Sequence, residues 1–426
     1  MTASDSINMK TYLLTVGITG SCNLRCPSCA AGNMPEINRP GQYMSVDTYR
    51  DVLKKATSES RISAVCLFIT TEPLLHPHLN EIIRVTNSFN IPCMISTNLN
   101  LLPRDVDDFF AANPASLRVS LSGYFQETYE RTHRGGRIDR VKENIKIMAD
   151  AWKRAGSKSH FEIHYHRYIG NLDEEILMKR FAKELGLEFT TNWAGFHPYE
   201  KHLSELEPDS GFPAFTDEDR ALLQILPAVA GPSIKESIFY QENSLLKKYN
   251  DLPCTVQSAY LFVDWRGQTQ LCCAMGDTEK FSLGSYLDMP LGEIQGTKDK
   301  HEICRICKKN SGHVIVSLGY QDIGSSYLDS VCMKNILDYY ASEGYDLRQG
   351  MIYDKSAEAS AVTASGPSTH VRDHQSEYNG LVELLKQQLA EERSRSAALE
   401  VRIAELERGR PRKPFEAPPA LRDLGG

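Results

Sequence analysis

The chain has 426 residues, is 41% hydrophobic and carries a net charge of -7, enough to bury more than one core and with no basic stretch long enough to follow a phosphate backbone, so nucleic acid is not an expected partner. No apolar run reaches the roughly 18 to 20 residues that cross a bilayer, and MTASDSINMK lacks the apolar centre of a secretory signal. A cytoplasmic protein is expected, in which the 11 cysteines serve as metal ligands or small buried residues rather than disulfides.

Short β-rich runs alternate with stretches of helical period from the start. YLLTVGI (12–18) predicts a strand and SCNLRCPSCAAG (21–32) a tight loop holding Cys22, Cys26 and Cys29. VDTYRDVLKKA (46–56) predicts a helix, ISAVCLFI (62–69) a strand, HLNEIIRVTNSF (78–89) a helix, PCMIST (92–97) a strand and RDVDDFFAA (104–112) a helix. SLRVSLS (116–122), 137–156, HFEIHYHRY (160–168), 173–186 and LEFTTNWAG (187–195) continue the alternation. Such an order implies a parallel sheet with covering helices, as a barrel or as an open sheet. Cys66 and Cys93 sit in apolar strand runs and read as core residues. His164 and His166 alternate along one strand and share a face, where packing against a neighbouring strand is expected ahead of substrate contact; Trp193 and His197, near a strand end, read the same way.

Beyond about residue 196 the pattern gives way to turn formers and then to six cysteines between 254 and 332, expected to form a second domain over 250–350. Gly267 falls at the turn of a hairpin with Cys254 before it and Cys272 at its end, and Cys304-x2-Cys307 supplies another pair. Four thiolates can close around one cluster or one zinc ion, and spacing does not distinguish them. Residues 351–375 are small and polar, a disordered linker. Val382, Leu385, Leu389, Leu399, Ile403 and Leu406 share a and d heptad positions, which predicts a coiled coil over 376–408 that needs a second copy or a partner protein. A disordered tail, 409–426, is expected after it.

The first cysteine loop asks for a different group from structural zinc, which takes four ligands. Three thiolates on a cubane cluster leave one iron open to a small molecule, and a loop at the carboxyl end of a first barrel strand suits such a site. Cys22-x3-Cys26-x2-Cys29 resembles the signature of the radical S-adenosylmethionine (radical SAM) superfamily. FITTEPLLHPHL (68–79) resembles that family's second-strand motif, ISTNLNLL (95–102) its third-strand segment and LRVSLSGYFQETYERTHRGG (117–136) its fourth. The resemblance implies an α/β fold, a partial (β/α)6 barrel over 10–235. It also implies a [4Fe-4S] cluster that binds SAM and, on receiving an electron, cleaves it to methionine and a 5'-deoxyadenosyl radical. It sets Thr70, Thr71 and Glu72 against the methionine amino group and makes Ser120 and Arg134 candidates for its carboxylate or ribose. Three positions depart from the family's pattern: TTE replaces two glycines before the acid, Ser28 replaces a frequent aromatic residue, and Ser122 replaces a common aspartate.

The second segment resembles the twitch domain, the shorter relative of the SPASM domain, a small α+β module. That implies one auxiliary [4Fe-4S] cluster on Cys254, Cys272, Cys304 and Cys307. Cys273 and Cys332 are then spare and are candidates for hydrogen donors. The expected activity is hydrogen abstraction from carbon, as an oxidoreductase dehydrogenating a sugar, aminocyclitol or similar small polyol, with flavodoxin or ferredoxin as electron donor. The small substrate is preferred because no peptide-binding domain is expected ahead of the barrel. Sugar epimerisation and ribosomal-peptide modification are rivals within the family; a zinc-stapled coiled-coil scaffold is the rival outside it.

Overall fold

A computed structural model describes residues 9–237, 251–318, 332, 334–336, 338, 339 and 342. The expected linker, coiled coil and tail lie outside these residues. The described residues up to Asn335 belong to one compact unit.

Six parallel strands build its centre: β1 (Thr11–Val16), β2 (Arg61–Cys66), β3 (Cys93–Thr97), β4 (Ser116–Leu121), β5 (His160–Arg167) and β6 (Glu188–Trp193). They lie in the order β6-β5-β4-β3-β2-β1, and the sheet is not closed. Helices return the chain between them. In α1 (Val46–Glu59) the buried residues are Tyr49, Val52, Leu53 and Ala56, one helical stripe, and Ser45 caps its start by accepting from Thr48 N. The helix α2 (Ile138–Arg154) buries Ile138, Val141, Ile145, Met148 and Ala149 on the same principle.

The two faces of the sheet differ. Toward the helices point Leu14, Val16, Val65, Ile95, Leu117, Val119, Phe161 and Ile163, each 2% exposed or less, and each such burial contributes about 2 kcal/mol. Along β4, β5 and β6 the other face is polar. Register sets Arg118 beside Glu162, Ser120 beside His164, His164 beside Thr190 and His166 beside Asn192. A parallel sheet covered on both sides is apolar on both; polar residues on these three strands suit a face that meets something other than a helix.

The cysteine-rich segment continues the same sheet. A short helix, Thr255–Ala259, leads into β7 (Tyr260–Val263), which pairs in parallel with β1. The chain then turns at Gly267, whose φ of 77° favours glycine, into the antiparallel strands β8 (Gln268–Gln270) and β9 (Ser282–Ser285). Helices Leu291–Lys300, Glu302–Lys309 and Gly312–Leu318 follow. Among the described residues no helix is long and apolar enough to cross a membrane.

Candidate metal and cofactor site

The first cysteine loop leaves the carboxyl end of β1 and is tied down at both ends. Gly17 N donates to Val263 O at 2.9 Å and Gly20 N to Gln42 O at 2.9 Å. Cys29 then starts a one-turn helix, Ala30–Asn33, and its carbonyl accepts from Gly32 N and Asn33 N. Gly32 is required there: a Cβ would overlap the carbonyl oxygen of Cys26. Arg25 N donates to Arg134 O at 2.9 Å, fastening the loop to the segment after β4.

Cys22, Cys26 and Cys29 are all free thiols of intermediate exposure. Burial pushes Cys22 up to about 12, helped by Glu72, and raises Cys26, whose next causes are Cys29 and Cys22. Burial also raises Cys29, opposed by the N–H groups of Ala31 and Gly32. The three sulfurs thus lie within electrostatic reach of one another in a site that disfavours bare thiolates. A metal reverses that preference, since a coordinating thiol is deprotonated outright. Among the described residues no three His, Cys, Asp or Glu side chains converge to hold a single metal ion, whereas a cluster lets each thiolate reach a different iron. The donors present fit such a cluster.

The remaining positions named from the sequence distribute around this loop. Thr70 and Thr71 line a cleft that also touches Thr19, Asn38, Cys272 and Cys273. Glu72, 2% exposed, points inward: its carboxylate accepts from Leu74 N at 3.0 Å, Thr97 Oγ1 at 2.7 Å and Asn98 N at 2.9 Å. Burial lifts it to about 7 against those three donors. Ser120 lies on the polar face, 3.0 Å from Ser96 Oγ. The Arg134 guanidinium pairs with Glu218. Ser28 Oγ meets Tyr168 Oη at 3.0 Å, and Ser122 Oγ meets His133 Nδ1 at 2.9 Å.

The polar face gathers its own constellation. Arg118 Nε donates to Glu162 at 2.6 Å, Thr190 Oγ1 donates to Glu162 at 2.7 Å, and Thr190 also meets His164 Nδ1 at 2.7 Å. The rings of His164 and His166 stand edge to face 5.2 Å apart. Burial, and then the Arg118 charge, hold His164 down at about 4, so it is neutral at pH 7. His164 thus meets the neighbouring strand through Thr190. Trp193 lies under the Arg167 guanidinium, 5.0 Å from ring centroid to Cζ.

In the second cysteine set, Cys254 starts the helix before β7 and its sulfur accepts from Gln257 N at 3.4 Å. Cys272 follows β8 and accepts from Ala274 N at 3.4 Å. Cys304 and Cys307, three apart, lie on one side of helix Glu302–Lys309, packed with Cys272, Leu271 and Tyr199 in one apolar cluster. Burial pushes Cys304 up to about 12, then Cys272 and Cys254. The adjacent Cys272 and Cys273 thiols share a hydrogen bond that raises the first and lowers the second. Cys332 is fully buried, as are Cys66 and Cys93, in keeping with core roles for the latter two.

A bridge joins the two cysteine sets. His197 N donates to Ser28 O at 2.8 Å, Tyr199 N to Ala274 O at 2.9 Å, and Glu200 Oε1 accepts from Gly276 N at 2.7 Å and Asp277 N at 3.0 Å. A Cβ at Gly276 would stand 2.8 Å from Met34 Sδ and 3.1 Å from Ala30 Cβ, so the second loop abuts the small helix that follows Cys29. The sequence points to His197 but not to Tyr199, Glu200 or Asn98; nothing local in HPYEKHL or in ISTNLNLL distinguishes a residue whose partner is a distant loop.

Residues 16–181 match the family model of the Radical SAM superfamily, and that span is a radical SAM domain. The GTP 3',8-cyclase of Geobacter sulfurreducens is 29% identical over 152 residues, covering 34% of this chain and 45% of that protein. The enzyme of the same name from Synechocystis is 28% identical over 154 residues, again 45% of its length. The chain thus spans less than half the length of these curated relatives. Among solved structures, Streptococcus suis SuiB bound to precursor peptide SuiA aligns with a TM-score of 0.47 at 13% identity, covering 71% of this chain and 67% of that one. A structure of anSMEcpe with bound AdoMet aligns with a TM-score of 0.46 at 17% identity, covering 82% and 98%.

Proposed function

We propose that this protein is a radical SAM oxidoreductase that dehydrogenates a small, hydroxyl-rich substrate such as a sugar or aminocyclitol. The family implies a [4Fe-4S] cluster and SAM. In this reading Cys22, Cys26 and Cys29 hold that cluster and Cys254, Cys272, Cys304 and Cys307 hold an auxiliary one. When bound, the cluster and SAM together supply a 5'-deoxyadenosyl radical able to take hydrogen from carbon.

The chain's own residues have distinct tasks. Gly32 and the Cys29 carbonyl bonds fix the turn that follows the third cysteine. Thr70 and Thr71 offer hydroxyls at the cleft; Glu72 holds the end of β3 against the loop and with them is a candidate for the methionine amino group, while Ser120 and Arg134 are the candidates for its carboxylate or ribose. Arg118, Glu162, His164, His166 and Thr190 line the polar face with both donors and acceptors, the mixture that a polyol needs for orientation. Electrons are supplied by a small carrier of the flavodoxin or ferredoxin type in the cytoplasm, and residues 376–408 pair with a second copy or a partner protein.

One observation carries the reading: the segment 197–200 hydrogen-bonds both to Ser28 in the first cysteine loop and to Ala274, Gly276 and Asp277 beside the second. That bridge supports two groups working on one substrate, with the second set taking the electron that dehydrogenation releases. The test is anaerobic reconstitution with iron and sulfide, followed by addition of SAM and reductant. About eight irons per chain and release of 5'-deoxyadenosine are expected, falling to about four irons and no 5'-deoxyadenosine when Cys22, Cys26 and Cys29 are changed to alanine. Stoichiometric zinc without visible absorbance would instead favour the scaffold.

A further inference from the structure

Thr190 stands between an acid and an imidazole. Its Oγ1 lies 2.7 Å from the Glu162 carboxylate and 2.7 Å from His164 Nδ1. An ionised carboxylate only accepts, and a hydroxyl has one proton to give. Burial works to raise Glu162, but the hydrogen bonds from Thr190 and Arg118, with the Arg118 charge, hold it below the ordinary carboxylate range. The Thr190 proton therefore goes to Glu162, and the bond between Thr190 and His164 must be donated by the ring, from Nδ1.

A neutral imidazole that carries its proton on Nδ1 has its lone pair on Nε2. Burial and the Arg118 charge keep this ring neutral at pH 7. Nε2 is the ring nitrogen farther from the backbone, so with Nδ1 tied to β6 it stands outward from the sheet, and His164 is only half-buried. Ser120 lies beside His164 in register, its Oγ 3.0 Å from Ser96 Oγ, so hydroxyls from β3 and β4 continue the row. The Asn192 side chain is shared between His164 and His166; the Thr190 bond is the one that fixes the tautomer.

We infer that His164 Nε2 is an acceptor built for a substrate hydroxyl, with Thr190 and Glu162 as positioning residues that fix its tautomer, so that the polar face binds an alcohol in preference to the ketone derived from it. The inference rests on the dehydrogenase reading above and adds to it a discrimination between substrate and product. A carbinol O–H donates to Nε2. The carbonyl that replaces it has only lone pairs and meets another lone pair. Oxidation thus removes the bond that held the substrate, which favours release of the product.

The first measurement is nitrogen-15 nuclear magnetic resonance of histidine-labelled, full-length protein at pH 7, with the His164 signals assigned by their loss in His164→Gln. Nδ1 should be protonated and Nε2 bare; the reverse tautomer overturns the inference. Thr190→Val keeps the shape, removes the acceptor and should give a mixture of tautomers, with Thr190→Ser restoring the single form. A tautomer unchanged in Thr190→Val overturns the relay and the inference with it. An Nε2 signal moved by SAM alone makes the ring a cofactor contact and overturns it too.

The second measurement is calorimetric binding of myo-inositol, and of the ketone formed by oxidising one of its carbinols, to reconstituted protein with SAM and no reductant, so that nothing turns over. One hydrogen bond is worth about threefold to tenfold in binding. The alcohol should exceed the ketone by that factor in wild type and Thr190→Ser. The two should bind about equally in Thr190→Val and in His164→Gln, whose amide both accepts and donates. Equal binding in wild type overturns the inference and leaves the dehydrogenase reading standing. If neither compound binds, the polyol reading and this inference fail together, and release of 5'-deoxyadenosine shows whether the radical chemistry survives them.

Discussion

The Asn98 side-chain amide lies 3.7 Å from Cys22 Sγ and donates to Asn23 Oδ1 at 2.9 Å, joining the end of β3 to the first cysteine loop. The same residue's backbone N–H donates to Glu72 at 2.9 Å, and its Oδ1 accepts from Asn100 N at 2.9 Å. An amide held this firmly from three sides is a preorganised donor toward sulfur, and hydrogen bonds to cluster sulfurs tune both potential and retention.

Asn98→Ala should therefore bind the first cluster but release it faster. A hydrogen bond to a charged group contributes about 1.5 to 3 kcal/mol, so chelator-driven loss of about four irons should accelerate roughly tenfold or more, while loss from the second set keeps its rate. Equal release rates for wild type and Asn98→Ala at the first set would show that this contact does not act on the cluster.

Gly32→Ala tests the shape of the loop rather than its chemistry. Because the added methyl would overlap the Cys26 carbonyl, the turn after Cys29 has to open and the three sulfurs separate. Reconstituted iron should fall by about half, with cleavage of SAM abolished and the second cluster retained. Iron content equal to wild type would mean that the loop has slack the packing does not suggest.

How far the sequence reveals this arrangement depends on the range of the interaction. Most of the strands and helices from 11 to 193 declare themselves because they are locally periodic, as in Tyr49, Val52, Leu53 and Ala56. Strand ends run long in such a reading: Leu67 remains fully buried past the last ladder pair of β2, and apolarity alone cannot mark where pairing stops. The helix Gln126–Thr132 is hidden, since Tyr129 is its only apolar residue. Pairing of β7 with β1 leaves no local trace at all. The cysteine groups are legible from spacing, but the bridge through Tyr199 and Glu200 is not. Lys298 is the sharpest case, because a lysine beside Asp299 and Lys300 reads as a solvated face, yet it is fully buried with Nζ on the Tyr260 carbonyl.

On the polar face, the fixed Arg118 charge should hold the His164 titration down. A histidine whose folded pKa lies below its unfolded value is bound by fewer protons in the folded state, so it withdraws stability as pH falls from the unfolded value near 6.5 toward the folded one, about 4. Burial is the larger cause and the Arg118 charge the next. Arg118→Met should move the His164 titration upward, read from its ring proton shifts by nuclear magnetic resonance. It should also shift the acid loss of stability to a higher pH-independent plateau, since part of the penalty for charging the ring is gone. A His164 titration unchanged in Arg118→Met would separate the two residues and remove the charge coupling from the account of this face.

The fate of the substrate radical turns on Cys273. Its side chain belongs to the cleft that Thr70 and Thr71 line, and its thiol is tied to Cys272 by a hydrogen bond that lowers its pKa; Cys332, by contrast, is fully buried. A thiol facing a substrate radical can return a hydrogen atom and complete an epimerisation, whereas an acceptor for one electron completes a dehydrogenation and needs no such donor. With Cys273 engaged to Cys272, a ligand of the second set in the reading proposed above, electron acceptance is the expected outcome. Turnover in deuterated water should then leave no deuterium at the attacked carbon, give a product two hydrogens lighter than the substrate, and proceed in Cys273→Ala with at most a severalfold loss of rate. Deuterium incorporated with inverted configuration, and lost in Cys273→Ala or Cys332→Ala, would make the protein an epimerase and the missing thiol its hydrogen donor.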